Sequence, residues 1–330
     1  MKASREFTIY LALLVLVGLL PVFGAYPVFV MKVMCFALFA CAFNLLIGYT
    51  GLLSFGHAAF LGGAAYVTGH VLKVWGWSTE LGLLVGIVSG AVLGLIMGAL
   101  AIRRSGIYFS MITLALAQML FFLFLQTPFT GGEDGLQSVP RGTLLGIINL
   151  ADDLTLYYVV LAIFVVSFLL IYRTVHSPFG QVLKAIRENE TRATSLGYDV
   201  ARFKLLAFVL SAALAGLAGA TKTLVLGFAT LTDAHWSASG LVILMVLVGG
   251  MGTMLGPILG AFIIVALENK VGDIGAFLGR TTGIEWFNGL GEAVTVVTGL
   301  IFVICVMAFR RGIVGEVQEW WLRRRIQPVA

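Results

Sequence analysis

The sequence predicts an all-α integral membrane protein with about ten transmembrane segments. Three observations carry this. First, hydrophobic residues make up 60% of the 330 positions and charged residues only 11%, with a mean hydropathy of +1.02. A soluble domain carries roughly 25% charged residues, and no soluble fold of this length could hide so much apolar surface. Second, the apolar residues come in tracts long enough to cross a bilayer. Third, Lys and Arg gather in the short polar stretches between those tracts. The net charge of +5 is therefore a matter of orientation rather than a sign of nucleic-acid binding.

Crossing the hydrocarbon takes about 20 apolar residues at about 1.5 Å each. The tracts are 7–23, 28–46, 52–74, 81–102, 107–126, 154–172, 203–229, 238–267 and 290–309. The first follows MKASREF and no small-residue cleavage pattern follows it, so it reads as an uncleaved helix rather than a signal peptide. The tract 238–267 is too long for one comfortable helix and short for two. Its centre, GGMGTMLGP from Gly249 to Pro257, breaks helices.

Charge settles the parity. Lys2, Arg5, Arg103, Arg104, the six basic residues of 173–204, Arg310, Arg311 and Arg323–Arg325 want the cytoplasm. The loop 127–153 has Arg141 as its one basic residue beside Glu133, Asp134, Asp152 and Asp153, and wants the outside. From an outside loop at 231–236, a single crossing in 238–267 would strand the arginine-rich tail outside. Two short crossings hinged at the glycine run return it to the cytoplasm. The chain thus reads as one transmembrane domain, 1–330, with both termini inside. The third segment and the paired eighth and ninth are short or re-entrant. Five plus five segments have the parity of an inverted repeat, although the halves show no sequence match.

Small residues crowd the spans. Gly82, Gly86, Gly90, Gly94 and Gly98 recur every fourth residue, and Ala212, Ala213, Ala215, Gly216, Ala218, Gly219 and Ala220 do similar work in the seventh. Such faces let helix backbones approach closely, and packing within the chain is favoured over a subunit interface. Cys35 and Cys41 lie on one predicted helix facing different ways and cannot bridge. Together with Cys305 they read as small buried hydrophobes.

The longest polar interruption is 173–204. Ser177 is an N-cap followed by Pro178 at the first helical position. Phe179, Val182, Leu183 and Ile186 form one face, and Lys184, Arg187 and Glu188 the other. A second short turn closes at Gly197. The mixed-charge run Arg187-Glu188-Asn189-Glu190-Thr191-Arg192 suits a protein partner better than anionic lipid. This segment reads as a cytoplasmic handle gripped by another protein.

The chain shows no engine of its own. There is no P-loop, no H-E-x-x-H and no Cys/His cluster. Ser54 and His57 have no nearby acid, which argues against a hydrolytic triad. No metal or cofactor is implied. Asn44, Ser54, His57, Lys222 and Glu292 are candidate path-lining residues. Lys32, Lys222 and Glu292 each fall near the outer surface, where an interfacial anchor is the plain reading. The sharper one pairs Lys222 with Glu292 at the outer mouth, touching substrate. An ion-coupled secondary transporter needs ionisable groups deep in the membrane, and these are scarce. An integral-membrane enzyme needs a polar catalytic cluster, which is absent.

Four stretches in order, NLLIGYTGLLSFGHAAFLGGAAY (44–66), TGGEDGL (130–136), SPFGQVLKAIRENETRATSLGYDVARFKLLAF (177–208) and GGMGTMLGPILGAF (249–262), resemble the branched-chain amino acid ABC-transporter permease family, in its larger subunit type. The resemblance implies an ABC importer permease fold in a bacterial inner membrane. It implies a homologous second permease subunit, two ABC ATPase subunits and a periplasmic substrate-binding protein as partners. It implies an ATPase-coupling role for Lys184, Ala185, Arg187, Glu188, Asn189, Glu190, Ala193 and Gly197. The cargo would be branched-chain or related amino acids; relatives of the family carry urea, amides or aromatic acids. A tight zwitterion site needs buried partners for both charges. The chain is expected to offer almost none, leaving selectivity to the binding protein. The tail, with Trp320, Trp321 and Arg323–Arg325, reads as an interfacial anchor.

Overall fold

The computed structural model describes residues 2–282 and scattered residues between 296 and 319. Glu292, Cys305, most of the tract 290–309 and the Trp/Arg tail lie outside the described residues. The order is α1 (Lys2–Leu19), α2 (Pro27–Thr50), α3 (His57–Lys73), α4 (Thr79–Ala101), α5 (Ile107–Gln126), a small hairpin of β1 (Thr143–Leu144) and β2 (Ile148–Asn149), α6 (Asp153–His176), α7 (Pro178–Glu188), α8 (Glu190–Ser195), α9 (Val200–Leu226), α10 (Leu231–Ala234), α11 (Trp236–Gly249) and α12 (Gly256–Thr282).

Five described helices, α2, α4, α5, α6 and α9, are long and apolar enough to cross a membrane. Their burial sorts them into layers. The apolar window of α2 is 94% buried and that of α5 only 17%. By burial rather than by hydropathy, α2 is the axis of the bundle, packed by α6, α9, α11 and α12. α4, α5 and α6 turn broad apolar faces outward, with Leu84, Val88, Met119, Phe122, Val166 and Leu169 exposed.

The glycine stripe of α4 packs within the chain, as the sequence suggests. A Cβ on Gly90 would run into the carbonyl oxygen of Ala212 and the backbone of Gly216, both on α9. Between lipid tails there is no hydrophobic drive for helices to associate, and close backbone packing supplies the attraction instead.

Two boundaries differ from expectation. The third segment does not start at residue 52: residues 51–56 are non-helical, and α3 begins at His57 with 17 residues. Irregular backbone at this depth persists only if its polar groups find partners. Ser110 Oγ donates to Leu53 O (2.6 Å), Phe55 N–H donates to Thr113 Oγ1 (3.2 Å), and Ala58 N–H donates to Ser239 Oγ (2.9 Å). Side chains of α5 and α11 thus replace the missing helical bonds. The tract 238–267 does split at its glycines: α11 is 14 residues long, Gly250 and Gly252 take positive φ, and α12 follows. α12 runs on to Thr282, well past residue 267, and it carries Glu268 with it.

Candidate functional site

Two places concentrate polar chemistry, one at each end of α2. The first is built on α7. Ser177 caps it, with its Oγ accepting from Gly180 N–H (3.3 Å), and Pro178 sits at the first position. Gly180 is obligatory, because a Cβ there would overlap the last carbonyls of α6, at Thr174 and Val175. Leu183 and Ile186 face inward; Ile186, Ala193 and Val200 form a small core with Val182 and Phe203. Asn189 both ends α7 and caps α8, its Oδ1 accepting from Arg192 N–H (2.9 Å). Gly197 takes φ +88° after α8, a left-handed turn that suits glycine.

Ala185, Glu188, Asn189 and Glu190 are exposed. Glu190 also bonds Lys204 at the base of α9 (2.7 Å), where the lysine side chain is 7% exposed. Lys184 sits 5.8 Å from the Tyr49 ring centroid. Arg187 is exposed as the helical pattern expects, yet its guanidinium also reaches back and donates to Gly48 O at the C-terminal end of α2.

That contact continues into the glycine hinge. Asn44 Nδ2 donates to Thr253 O (2.9 Å), and Gly252 N–H donates to Asn44 Oδ1 (2.9 Å). Tyr49 Oη donates to Met254 Sδ (3.2 Å). Gly312 approaches Gly250 from the other side. Handle, α2 and hinge are therefore one bonded unit. Asn44, expected along a path, is buried at 3% exposure and serves here as the strap between α2 and the hinge.

Ser54 and His57 are also fully buried. His57 stands among Phe43, Phe60 and Phe208, with ring centroids 4.9, 5.3 and 5.9 Å away. Ser211 Oγ donates to Ala42 O (2.5 Å), so its lone pair receives Nε2–H of His57 (2.8 Å). That leaves Nδ1 as the acceptor, without a partner among the described residues. The pair braces α3 against α9.

At the other end of α2, Lys222 has a described partner that the sequence did not suggest, while Glu292, the partner expected for it, lies outside the described residues. Lys222 Nζ pairs with Asp233, their side chains 8% and 10% exposed. Asp233 stands in the stretch expected to be an outside loop. It lies instead on α10, a single turn packed on α3 and α5. Thr230 Oγ1 also donates to Asp233 Oδ2 (3.2 Å). Lys222 Nζ lies 5.7 Å from the Phe36 ring centroid, and Glu268 of α12 is within Coulombic reach of both Lys32 and Lys222. The direct contact here is the Lys222–Asp233 pair, which joins α9 to α10. Between Lys204 and Lys222, α9 carries no ionisable side chain, so the pair does not extend into a proton relay along that helix. The one sequence clue to Asp233 is a lone acid framed by Thr230, Thr232 and an apolar helix.

The loop 127–153 is tied down rather than free. Leu136 and Ala229 exchange backbone hydrogen bonds of 2.9 Å, Val139 N–H donates to Gly227 O (2.8 Å), and Arg141 bridges Asp153 (2.6 Å) and Val225 O (2.8 Å). The TGGEDG turn leaves Glu133 and Asp134 exposed. A groove of 790 Å³ between α4 and α6, lined by residues such as Leu83, Ile87, Val159 and Ile163, is largely apolar, with Glu80 the charged residue of its lining. Among the described residues no three His, Cys, Asp or Glu side chains gather as a metal site.

Comparison with known proteins gives concordant matches. A family described as "Branched-chain amino acid transport system / permease component" matches residues 28–309. The high-affinity branched-chain amino acid transport system permease protein LivM of Escherichia coli (strain K12) is 28% identical over 295 residues, 80% of this chain and 69% of that protein. LivM of Salmonella typhimurium is 30% identical over 268 residues, 74% of this chain and 63% of that protein. The autoinducer 2 import system permease protein LsrC of Enterobacter sp. (strain 638) is 27% identical over 288 residues, 80% of this chain and 78% of that protein.

Proposed function

The chain belongs to the permease-component family of branched-chain amino acid transport systems, and we propose that it is the membrane subunit of a binding-protein-dependent ABC importer carrying branched-chain or related amino acids. ATP hydrolysis then resides in two partner ATPase subunits, a homologous permease completes the pathway, and a periplasmic binding protein delivers cargo. The single observation that carries this reading is the bonded unit at the inner end. An exposed mixed-charge surface, Glu188-Asn189-Glu190, sits on a helix whose Arg187 holds Gly48, beside the Asn44 strap to the hinge. A push on that surface reaches the break between two membrane helices within three contacts.

In this reading the chain is one transmembrane domain of about ten crossings, with an inverted five-plus-five plan and both termini cytoplasmic. Segment 173–204 is the ATPase-coupling element, and 127–153 is the periplasmic loop whose exposed TGGEDG turn serves docking of the binding protein. Asn44, Ser54 and His57 become path-lining when α2, α3 and α9 part.

The test is ATP-dependent uptake by the full complex in vesicles, against a panel of leucine, isoleucine, valine, urea and aromatic acids, with Glu188→Cys probed for cross-linking to the ATPase. Saturable uptake of an aliphatic amino acid and a cross-link to the ATPase are expected. Uptake driven by a proton or sodium gradient without the ATPase would refute the reading.

A further inference from the structure

We propose that the buried Lys222–Asp233 pair is an exchange site for a zwitterion, with the solute's carboxylate taking Lys222 and its ammonium taking Asp233. This rests on the importer reading above and adds to it the place where cargo meets the chain.

The pair is poorly explained as a stabilising contact. Two charges taken out of water repay little of their desolvation, and an apolar pair of the same volume is often as stable or more so. An ionisable residue at membrane depth is by default a functional candidate. The geometry gives it a use. α10 is one helical turn between α9 and α11, resting on α3 where the backbone of Ala234 fills the space beside Gly62. Asp233 is held from one side by Thr230 and by Lys222 from the other. Glu268 of α12 feels the charge of Lys222 as well as that of Lys32.

Exchange leaves no buried charge unpaired. Before it, Lys222 and Asp233 satisfy each other and the solute is hydrated. After it, the carboxylate satisfies Lys222, and the ammonium satisfies Asp233. The broken protein pair is the cost, so binding is weak and release is easy, as a transport path needs. A neutral solute such as urea cannot make the exchange, because each protein charge would lose its counter-charge. The expectation that the chain has almost no buried partners for a zwitterion is thereby revised. α10 runs directly into α11, whose inner end is the hinge, so a hinge movement reaches Asp233 along one helix.

The experiment uses the assembled complex, with both permeases, the ATPases and the binding protein, in proteoliposomes. Wild type is expected to import leucine in an ATP-dependent manner; its failure to do so would overturn the importer reading itself. The double variant Lys222→Met/Asp233→Leu replaces the pair with apolar groups of similar size. It is expected to co-purify with the ATPase and to lose leucine uptake at least tenfold. The conservative variant Asp233→Glu keeps both charges and the pair but moves the carboxylate by one methylene. It is expected to assemble normally and to lose uptake at least fivefold, a loss that a merely structural pair would not show. Uptake within twofold of wild type in Asp233→Glu, or in an assembled double variant, would overturn the site while leaving the importer reading in place.

Discussion

Replacing Asn44 by alanine should loosen the hinge by an amount the geometry fixes. The Asn44 amide makes two hydrogen bonds to the hinge, both 2.9 Å: one to Thr253 O and one from Gly252 N–H. At a net value of about 1 kcal/mol each, their loss costs the closed hinge about 2 kcal/mol, which shifts the open-to-closed ratio about thirtyfold. Leu255, half-buried in the turn between α11 and α12, is a reporter whose apolar side chain makes no hydrogen bond. In a chain with Cys35, Cys41 and Cys305 replaced by alanine, Leu255→Cys is labelled with a membrane-impermeant maleimide from the cytoplasmic side. When opening and closing are faster than labelling, the rate follows the open population. Asn44→Ala should raise it at least tenfold. Gly48→Ala should raise it too, since a Cβ there would press on the Asn44 amide and lie 2.8 Å from Gly252 N. A rate within twofold of the parent in both variants would refute the claim that this side chain holds the hinge to α2.

The remaining predictions test other contacts. Replacing both Glu188 and Glu190 by lysine should uncouple ATP hydrolysis from uptake, with the protein level in the membrane unchanged; normal uptake would count against the handle. Gly90→Val should cost about 1–3 kcal/mol through overpacking at the α4–α9 seam, read as a lower unfolding temperature in detergent; an unchanged temperature would mean the seam can spread. Asp152 caps α6 through Thr155, and those hydrogen bonds hold its carboxyl below the ordinary range. A group with a depressed folded value stabilises above its unfolded value and loses that contribution as pH falls through the folded one. Hydrogen-exchange protection of the Thr155 amide should therefore be full at neutral pH and fade in acid, and Asp152→Asn should flatten that dependence.

Much of this architecture was legible in the residues. Glycine at every fourth position of α4 marked a close helix seam, and the same chain supplies the other half. The Gly249–Pro257 run marked a break because glycine and proline cannot sustain a helix there. The Ser177–Pro178 start and the Gly197 stop of the handle follow from capping chemistry alone. What pattern could not give was direction beyond the local turn. Arg187 belongs to the polar face by helical periodicity, yet a long side chain can fold back to a carbonyl 139 positions away in sequence. Asp233 was hidden because a short polar stretch between two spans looks like a solvent loop. Its burial depends on α3 and α5, which lie more than a hundred residues earlier. The 17-residue α3 hid its extended lead-in for a similar reason: the bonds that make residues 51–56 tolerable come from serines and threonines on α5 and α11.

The seam between α4 and α9 has a mechanical consequence. Where Gly90 meets Gly216 main chain touches main chain, and where Gly94 meets Ala212 only a methyl group lies between, with no long side chain to swing into a second rotamer. Such a joint has no spare stroke, so the two rods travel as one plank. Any rocking of the subunit must be taken up at the other edge, where a six-residue gap separates α11 from α12 and a single turn hangs between α9 and α11. The stiff wall thereby decides which part of the molecule is the door.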